Sequence, residues 1–140
     1  MIVLDTNVVS ELMRPTPSPR VETWVRARSS DELYTTSITV AEISYGIERL
    51  PDGARKTLLA STAQQLFSAF AEHVLAFDAV AASVYGSVVS DRDRAGAPID
   101  GFDAQIASVC RAHGAALATR NVKDFRAAGI DVVDPWRAEH

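Results

Sequence analysis

The chain has 140 residues, of which 47% are hydrophobic, and a formal net charge of −4. This length suits one domain with a buried core, and the acidic balance argues against binding nucleic acid by net charge alone, although not against an enzyme acting on it. The single cysteine, Cys110, excludes an internal disulfide, and without a secretory leader or membrane span we expect a cytoplasmic protein with no membrane contact.

The first predicted strand is Ile2-Val3-Leu4, an apolar run typical of a strand buried on both faces. It ends at Asp5, and a helix is predicted over residues 8–13. Asp5 therefore lies at the carboxyl end of a strand, where open α/β sheets bind their ligands. Alternatively, Asp5 only caps the helix that follows.

The next segments predict a helix that begins after Ser18 and a strand over residues 33–36. The sequence Thr39-Val40-Ala41-Glu42 then fits a capping box, in which the Thr hydroxyl and the Glu carboxylate accept from each other's free backbone N–H groups. In that interpretation Glu42 only stabilises a helix start.

A long amphipathic helix is predicted over residues 54–70, with a buried side formed by Leu58, Leu59, Leu66, Phe67 and Phe70. A third strand over residues 74–77 follows, and Asp78 is predicted to cap a helix over residues 79–89. The charged run at residues 91–94 is interpreted as a solvated helix end.

Asp100 is predicted to cap the next helix, with Asp103 in its first turn. A fourth strand over residues 116–119 precedes Asn121, which can cap a short helix that contains Asp124. A last strand covers residues 131–133. The alternation of strands and helices predicts one three-layer α/β/α domain over residues 1–140, with a mainly parallel central sheet.

Four carboxylates share one kind of position in this pattern, next to a strand end or at the start of a helix: Asp5, Glu42, Asp103 and Asp124. The carboxyl ends of parallel strands lie along one edge of a sheet, so these groups can converge. Converging carboxylates repel one another unless a cation neutralises them, and a set of oxygen ligands without His or Cys fits Mg²⁺ or Mn²⁺. Such a site suits phosphodiester hydrolysis by metal-activated water.

Four stretches of the chain resemble, in order and spacing, the signature of PIN domains, and most closely that of VapC/FitB-like toxins of bacterial toxin–antitoxin pairs. They are Val3-Leu4-Asp5-Thr6-Asn7-Val8, Ala41-Glu42, Asp103-Ala104-Gln105-Ile106-Ala107 and Thr119-Arg120-Asn121-Val122-Lys123-Asp124-Phe125. The resemblance extends over the whole chain, including the ending Val-Val-Asp-Pro-Trp. It implies a PIN-like α/β fold and a Mg²⁺-dependent endoribonuclease, with Mn²⁺ as a substitute ion.

The resemblance also implies roles for the acidic residues. Asp5 and Asp103 would bind metal, and Glu42 and Asp124 would complete a catalytic acidic pocket. Asp100 is the main rival of Asp103, which we prefer because an Ile-Ala pair follows it at the family's spacing. Whether one or two metal ions bind stays open.

Four polar residues beside these carboxylates also match the family. Thr119 and Asn121 are implied to orient water, metal ligands or the scissile phosphate. Thr6 and Asn7 are implied to fix the first turn around Asp5.

The resemblance further implies partners, namely an RNA substrate, a VapB-like antitoxin and a second copy of the chain in a homodimer. The antitoxin would pack in an apolar groove and cover the acidic pocket. The helices near Trp24 and at residues 43–50 are the predicted walls of this groove.

The sequence also allows three other interpretations of the acidic residues. A phosphatase or dehalogenase-like hydrolase would use Asp5 as a nucleophile, but it usually has a second Asp where Asn7 stands. A catalytically inactive PIN-like RNA- or protein-binding module would have lost acidic residues, and none is lost here. If the carboxylates are only caps, Asp→Asn changes should cost little.

Overall fold

The structure is a computed structural model, and it describes residues 1–138. Five strands form one sheet in the order β3-β2-β1-β4-β5, and each pair of neighbours in the described chain is parallel. The strands are β1 (Ile2–Leu4), β2 (Leu33–Thr36), β3 (Val74–Leu75), β4 (Ala116–Ala118) and β5 (Val132–Val133).

Six α-helices flank the sheet in the described chain: α1 (Thr6–Leu12), α2 (Pro19–Arg26), α3 (Ser37–Glu48), α4 (Ala54–Phe70), α5 (Ala79–Arg94) and α6 (Gly101–His113). Within residues 1–138 there are also three short 3₁₀ turns, each directly before a strand or between two strands, at Ser30–Glu32, Ala71–His73 and Val122–Phe125. None of the helices within residues 1–138 combines the length and apolar character needed to cross a membrane.

The core has two halves, one on each face of the sheet. Val3 and Leu4 are both fully buried, and as neighbours in a strand they point to opposite faces. Val3 packs with residues of α5 and α6 such as Val88 and Ile106, whereas Leu4 belongs to a cluster with Trp24 of α2 and residues of α1, α3 and α4. The predicted three-layer α/β/α architecture is confirmed, and its sheet is parallel throughout the described chain.

The strand order places a switch point beside β1. From β1 the chain builds β2 and β3 on one side, and then crosses over to build β4 and β5 on the other. At the ends of the adjacent strands β1 and β4, the Asp5 N–H donates to the Ala118 carbonyl at 2.9 Å. Ligands of open parallel sheets bind outside such a point.

The capping-box prediction at Thr39 and Glu42 is wrong. Helix α3 begins at Ser37, and the hydroxyl of Thr36 accepts a hydrogen bond of 3.1 Å from the Thr39 N–H. Because the helix starts earlier than predicted, Glu42 lies in its second turn, where no free backbone N–H remains. The carboxylate of Glu42 is therefore available for other contacts.

Other local predictions have mixed outcomes. Asp78 and Asp100 are N-caps as predicted, and each accepts a hydrogen bond of 3.0 Å from the backbone N–H three residues later. Ser18 and Asn121 precede helical turns without a side-chain capping bond. Strand β3 is two residues shorter than predicted, and α5 continues to Arg94.

Two burial predictions are wrong. Leu58 is 63% exposed, because α4 turns Ala63 rather than Leu58 toward the core. In the charged run at residues 91–94, Arg92 is only 4% exposed, so the interpretation as a solvated helix end fails there. It holds for Arg94, which is exposed and forms a salt bridge with Asp91.

Candidate active site

Asp5 lies at the switch point with its carboxylate held from two sides. The residue is 4% exposed. Its Oδ1 accepts a hydrogen bond of 2.8 Å from the Thr6 N–H at the start of α1, and its Oδ2 accepts one of 2.8 Å from the Thr119 hydroxyl after β4. The orientation of this carboxylate is therefore fixed jointly by β1, α1 and β4.

Asn7 and Thr119 form the second part of this arrangement. The Asn7 Nδ2 donates to Thr119 Oγ1 at 3.1 Å and lies 3.4 Å from Asp5 Oδ2. The Asn7 Oδ1 accepts from the Arg120 N–H at 3.2 Å. The Asn121 backbone N–H donates to Thr119 Oγ1 at 3.1 Å. The structure thus brings together these predicted polar residues around Asp5, with Asn121 contributing through its backbone.

Thr6 connects this site to α3. Its hydroxyl donates to Glu42 Oε1 at 2.8 Å and lies 3.1 Å from the hydroxyl of Thr39. The contact joins α1 and α3 at the carboxyl edge of the sheet, and it holds the half-buried Glu42 carboxylate on the side of Asp5.

The environment of Asp5 favours its protonated form. Burial raises the pKa of Asp5 above 3.8, and the negative charges of Glu42 and Asp100 add to this effect. The hydrogen bonds from Thr119 and Thr6 oppose it, because they stabilise the ionised carboxylate. The effect of burial on the pKa of Asp5 is larger than that of these hydrogen bonds.

Asp103 lies in the first turn of α6, and its pKa is also raised. Burial, a hydrogen bond with Asp100 and the charge of Asp100 raise the pKa of Asp103 from 3.8 to about 7, and the charges of Asp5 and Asp124 add to the shift. Asp100 and Asp103 thus both belong to the acidic site, and Asp100 also caps α6. Asp124, on the 3₁₀ turn after β4, reaches the same site by its charge.

The four carboxylates predicted from the sequence therefore interact at one edge of the sheet. Within residues 1–138, none of the four forms a salt bridge with a Lys, Arg or His side chain. Their mutual repulsion is consequently not relieved by a cationic side chain of the described chain. A cluster of this kind is stabilised by binding a cation.

The donor set fits a hard divalent cation. All the candidate ligands are carboxylate oxygens, which Mg²⁺ and Mn²⁺ prefer. Among the described residues, no group of three acidic, His or Cys side chains is arranged to hold an ion by itself. Mg²⁺ in proteins commonly takes one or two carboxylates directly and keeps several waters. Asp5 and Asp103 are the residues that would hold it.

Sequence reasoning missed Arg92. Its side chain is buried in the last turn of α5 and donates to two backbone carbonyls, those of Ala97 and Asp124. Because its neighbours in the run at residues 91–94 are charged, Arg92 was interpreted as solvated with them. One feature of the sequence nevertheless indicates its burial. Arg92 follows the buried Val88 by four residues, so it lies on the inward face of α5.

An apolar groove of about 520 Å³ begins at this site and runs between α1, α3 and α4. Thr6 and Glu42 line its end at the acidic site, and Arg14 and Arg55 also line it. Its apolar walls include Ile43, Ile47, Leu50, Leu58 and Leu59. The predicted wall at residues 43–50 is thus present. Trp24 is not part of this groove, because it is 1% exposed and packs in the core.

The fold and the site together define a parallel α/β domain with an acidic pocket at its switch point. The chain belongs to the PIN domain family, whose model matches residues 2–130. It is 39% identical over 137 residues to VapC ribonuclease Y4jK of Sinorhizobium fredii, with 97% of this chain and 98% of that protein covered. It is 36% identical over 137 residues to toxin FitB of Neisseria gonorrhoeae, with 97% and 99% covered.

Solved structures agree with this assignment. The structure of FitAcB from Neisseria gonorrhoeae matches with a TM-score of 0.92 and 36% identity, covering 99% of this chain and 100% of that chain. The structure of FitAB bound to the IR36 DNA fragment matches with a TM-score of 0.93 and 37% identity, covering 100% and 99%. The resemblance inferred from the sequence is confirmed.

Proposed function

We propose that this protein is a Mg²⁺-dependent endoribonuclease that acts as the toxin of a toxin–antitoxin pair. The observation that carries the proposal is the convergence of Asp5, Glu42, Asp103 and Asp124, without cationic partners in the described chain, at the switch point of a PIN domain. Relatives that match nearly the whole chain are named ribonuclease and toxin. The proposed nuclease domain covers residues 1–140.

Each acidic side chain has a proposed task. Asp5 and Asp103 hold the ion, and Glu42 and Asp124 complete the catalytic pocket. With Mg²⁺ bound there, the site would have a water of lowered pKa and a positive charge to offset the negative charge on the phosphate. Because the pKa of Asp103 is raised to about 7, its carboxylate would have to lose its proton to hold the ion, so we expect the affinity for the ion to rise with pH.

The polar residues around Asp5 position it for this task. Thr119 and Asn7 hold the Oδ2 side of the carboxylate, while the Thr6 N–H holds Oδ1. The Thr6 hydroxyl orients Glu42. A carboxylate fixed in this way loses little entropy when it binds an ion, so these residues contribute to affinity and to the alignment of the substrate phosphate.

The apolar groove is the proposed site for the antitoxin. The similar structures are those of FitAB and FitAcB assemblies. The groove starts at Glu42 and Thr6, so a VapB-like segment seated in it also covers the acidic pocket. This arrangement accounts for inhibition by steric exclusion of RNA. We further propose that the free protein is a homodimer.

The proposal is tested by cleavage of total cellular RNA with protein freed of any co-purifying partner. Reactions contain Mg²⁺, Mn²⁺ or EDTA, and the variants are Asp5→Asn, Asp103→Asn and, as a matched control, Asp93→Asn, whose carboxylate is exposed on α5. We expect discrete fragments with Mg²⁺ and with Mn²⁺ that disappear with EDTA. Each site variant should lose at least about 100-fold in rate, and the control should cleave normally.

Two outcomes would contradict the proposal. Cleavage that survives in both site variants would exclude the acidic pocket as the active site. A folded protein that binds Mn²⁺ but cuts no cellular RNA would favour the alternative of an inactive PIN-like binding module.

A further inference from the structure

Arg92 places a buried positive charge beside the proposed active site. The residue is 4% exposed and lies in the last turn of α5. A guanidinium stays charged in proteins, and a buried charge is costly unless it is well hydrogen-bonded. In the described chain Arg92 forms no salt bridge with a carboxylate. Its charge is therefore offset by other partners.

Those partners are backbone carbonyls on two separate segments. The Arg92 Nε donates to the Ala97 carbonyl at 2.5 Å, and Nη1 donates to the Asp124 carbonyl. The backbone of Arg92 also accepts from the Ala97 N–H at 3.0 Å. One side chain thus fastens the loop after α5 and the 3₁₀ turn after β4 to the end of α5.

One of these segments carries an acidic residue of the site, and the other leads into one. The loop at residues 95–99 leads directly into Asp100, which caps α6 and so fixes the turn that contains Asp103. The 3₁₀ turn Val122–Phe125 carries Asp124 itself, and its residue Phe125 is buried in the hydrophobic core. Arg92 is hence the side chain that connects the backbone of Asp124 to the segment entering α6.

We propose that Arg92 is a positioning residue, which holds the backbone of Asp124 against the loop before α6 so that the Asp124 carboxylate faces the pocket that contains Asp103. The inference rests on the proposed nuclease function. The planar guanidinium satisfies two carbonyls in fixed directions, whereas a lysine ammonium is a single flexible point charge. Arg92 acts through Asp124 and does not touch the substrate.

The test is a double-mutant cycle on RNA cleavage with Arg92→Met, Asp124→Asn and the double variant. Arg92→Lys tests conservative rescue, and Arg94→Met, on the exposed face of the same helix end, is the matched control. Rates are measured well below the melting temperature of each variant.

We expect Arg92→Met to lower kcat by about 10- to 100-fold, the usual effect of losing a group that orients a metal-site ligand. KM should change by less than about threefold, Arg92→Lys should recover part of kcat, and Arg94→Met should match the wild type.

Coupling to Asp124 separates positioning from general stabilisation. If Arg92 acts through Asp124, Arg92→Met should cost less than about threefold in kcat once Asp124→Asn is present, because coupled residues are not additive. An undiminished loss in that background, or a wild-type kcat in Arg92→Met, would overturn the proposal.

Amide hydrogen exchange provides a readout that does not depend on cleavage. In Arg92→Met we expect exchange at residues 95–100 and 122–125 to accelerate by about 10-fold or more, with exchange around Glu42 in α3 unchanged. If Arg92→Met fails to fold, Arg92→Lys is compared with the wild type in the same way, and a smaller acceleration confined to these segments is expected. Unchanged exchange there, or equal acceleration throughout the chain, would overturn the inference. Wild-type protein that cleaves no RNA would refute the proposed function alone, and exchange would still decide the role of Arg92.

Discussion

At the scale of single residues, the raised pKa of the Asp103 carboxyl makes the stability of the protein depend on pH. Its pKa is raised from 3.8 to about 7, first by burial and then by Asp100. Between these two values the folded protein keeps a proton that the unfolded chain releases. The contribution of Asp103 to the free energy of unfolding is thus most favourable at acidic pH, falls as pH rises toward 7, and stays constant above that value.

The first prediction concerns Asp103→Asn, which removes this dependence. In EDTA, the free energy of unfolding of the variant relative to the wild type should increase by about 1–2 kcal/mol between about pH 5 and pH 7.5, after allowance for solvent screening of a partly exposed group. Denaturant titrations at several pH values measure the difference. The control is Gln105→Ala on the same helix, whose difference from the wild type should not vary with pH. A constant difference for Asp103→Asn would show that Asp103 is ionised throughout.

The acidic residues were predictable because the pattern of strand ends is visible in the sequence. Asp5 directly follows an apolar run, and Asp124 follows the strand at Ala116–Ala118. What the sequence does not contain is a contact between distant residues. The bond from Thr119 to Asp5 spans 114 positions, and the burial of Arg92 depends on carbonyls that only the fold brings near. Such contacts were expected only by resemblance or not at all.

At the scale of elements, the start of α3 determines where Glu42 points. Four candidate N-cap residues, Thr35, Thr36, Ser37 and Thr39, precede the apolar face of this helix, so composition alone does not fix the first turn. The sequence pattern favoured Thr39. The strand β2 ends at Thr36, however, and the extended backbone there lets the Thr36 hydroxyl accept from the Thr39 N–H. The position of β2 in the fold therefore determines which residue caps α3.

The second prediction is that Thr36→Ala lowers the free energy of unfolding by about 1 kcal/mol, the usual cost of losing an N-cap side chain. Thr36→Ser keeps the capping hydroxyl and should lose less than half as much. The free energy is measured by denaturant unfolding, with the exposed Thr57→Ala in α4 as a control expected to change little. Equal losses for Thr36→Ala and Thr36→Ser would mean that the buried methyl group, not the cap, stabilises this turn.

At the scale of the whole molecule, the switch point explains why one edge of the sheet holds the chemistry. The βαβ alternation predicted the parallel sheet, but not the order β3-β2-β1-β4-β5. Strand order depends on which helices pack on which face, and several orders bury the same apolar residues. Because β1 and β4 are neighbours with Leu4 paired to Ala118, the next residues, Asp5 and Thr119, lie side by side beyond the strand ends. The apolar surface that the helices leave uncovered then forms the groove that leads away from this point.

The third prediction tests whether this groove serves the antitoxin separately from catalysis. Leu58 lines the groove and is 63% exposed, so Leu58→Glu should leave the fold and RNA cleavage intact. A charge in an apolar interface leaves an unpaired, desolvated group, and the dissociation constant for the cognate antitoxin should rise by about 10-fold or more. Val80→Glu is the matched control, because Val80 is 64% exposed on α5 outside the groove. Calorimetric titration of each variant with the antitoxin measures the change, and inhibition of cleavage is followed in parallel.

Weakened binding in the Leu58 variant alone would locate the antitoxin on this groove, and equal effects in both variants would place it elsewhere. Weaker inhibition at unchanged cleavage would further mean that the protein binds its inhibitor and cuts its substrate through distinct side chains of one continuous surface.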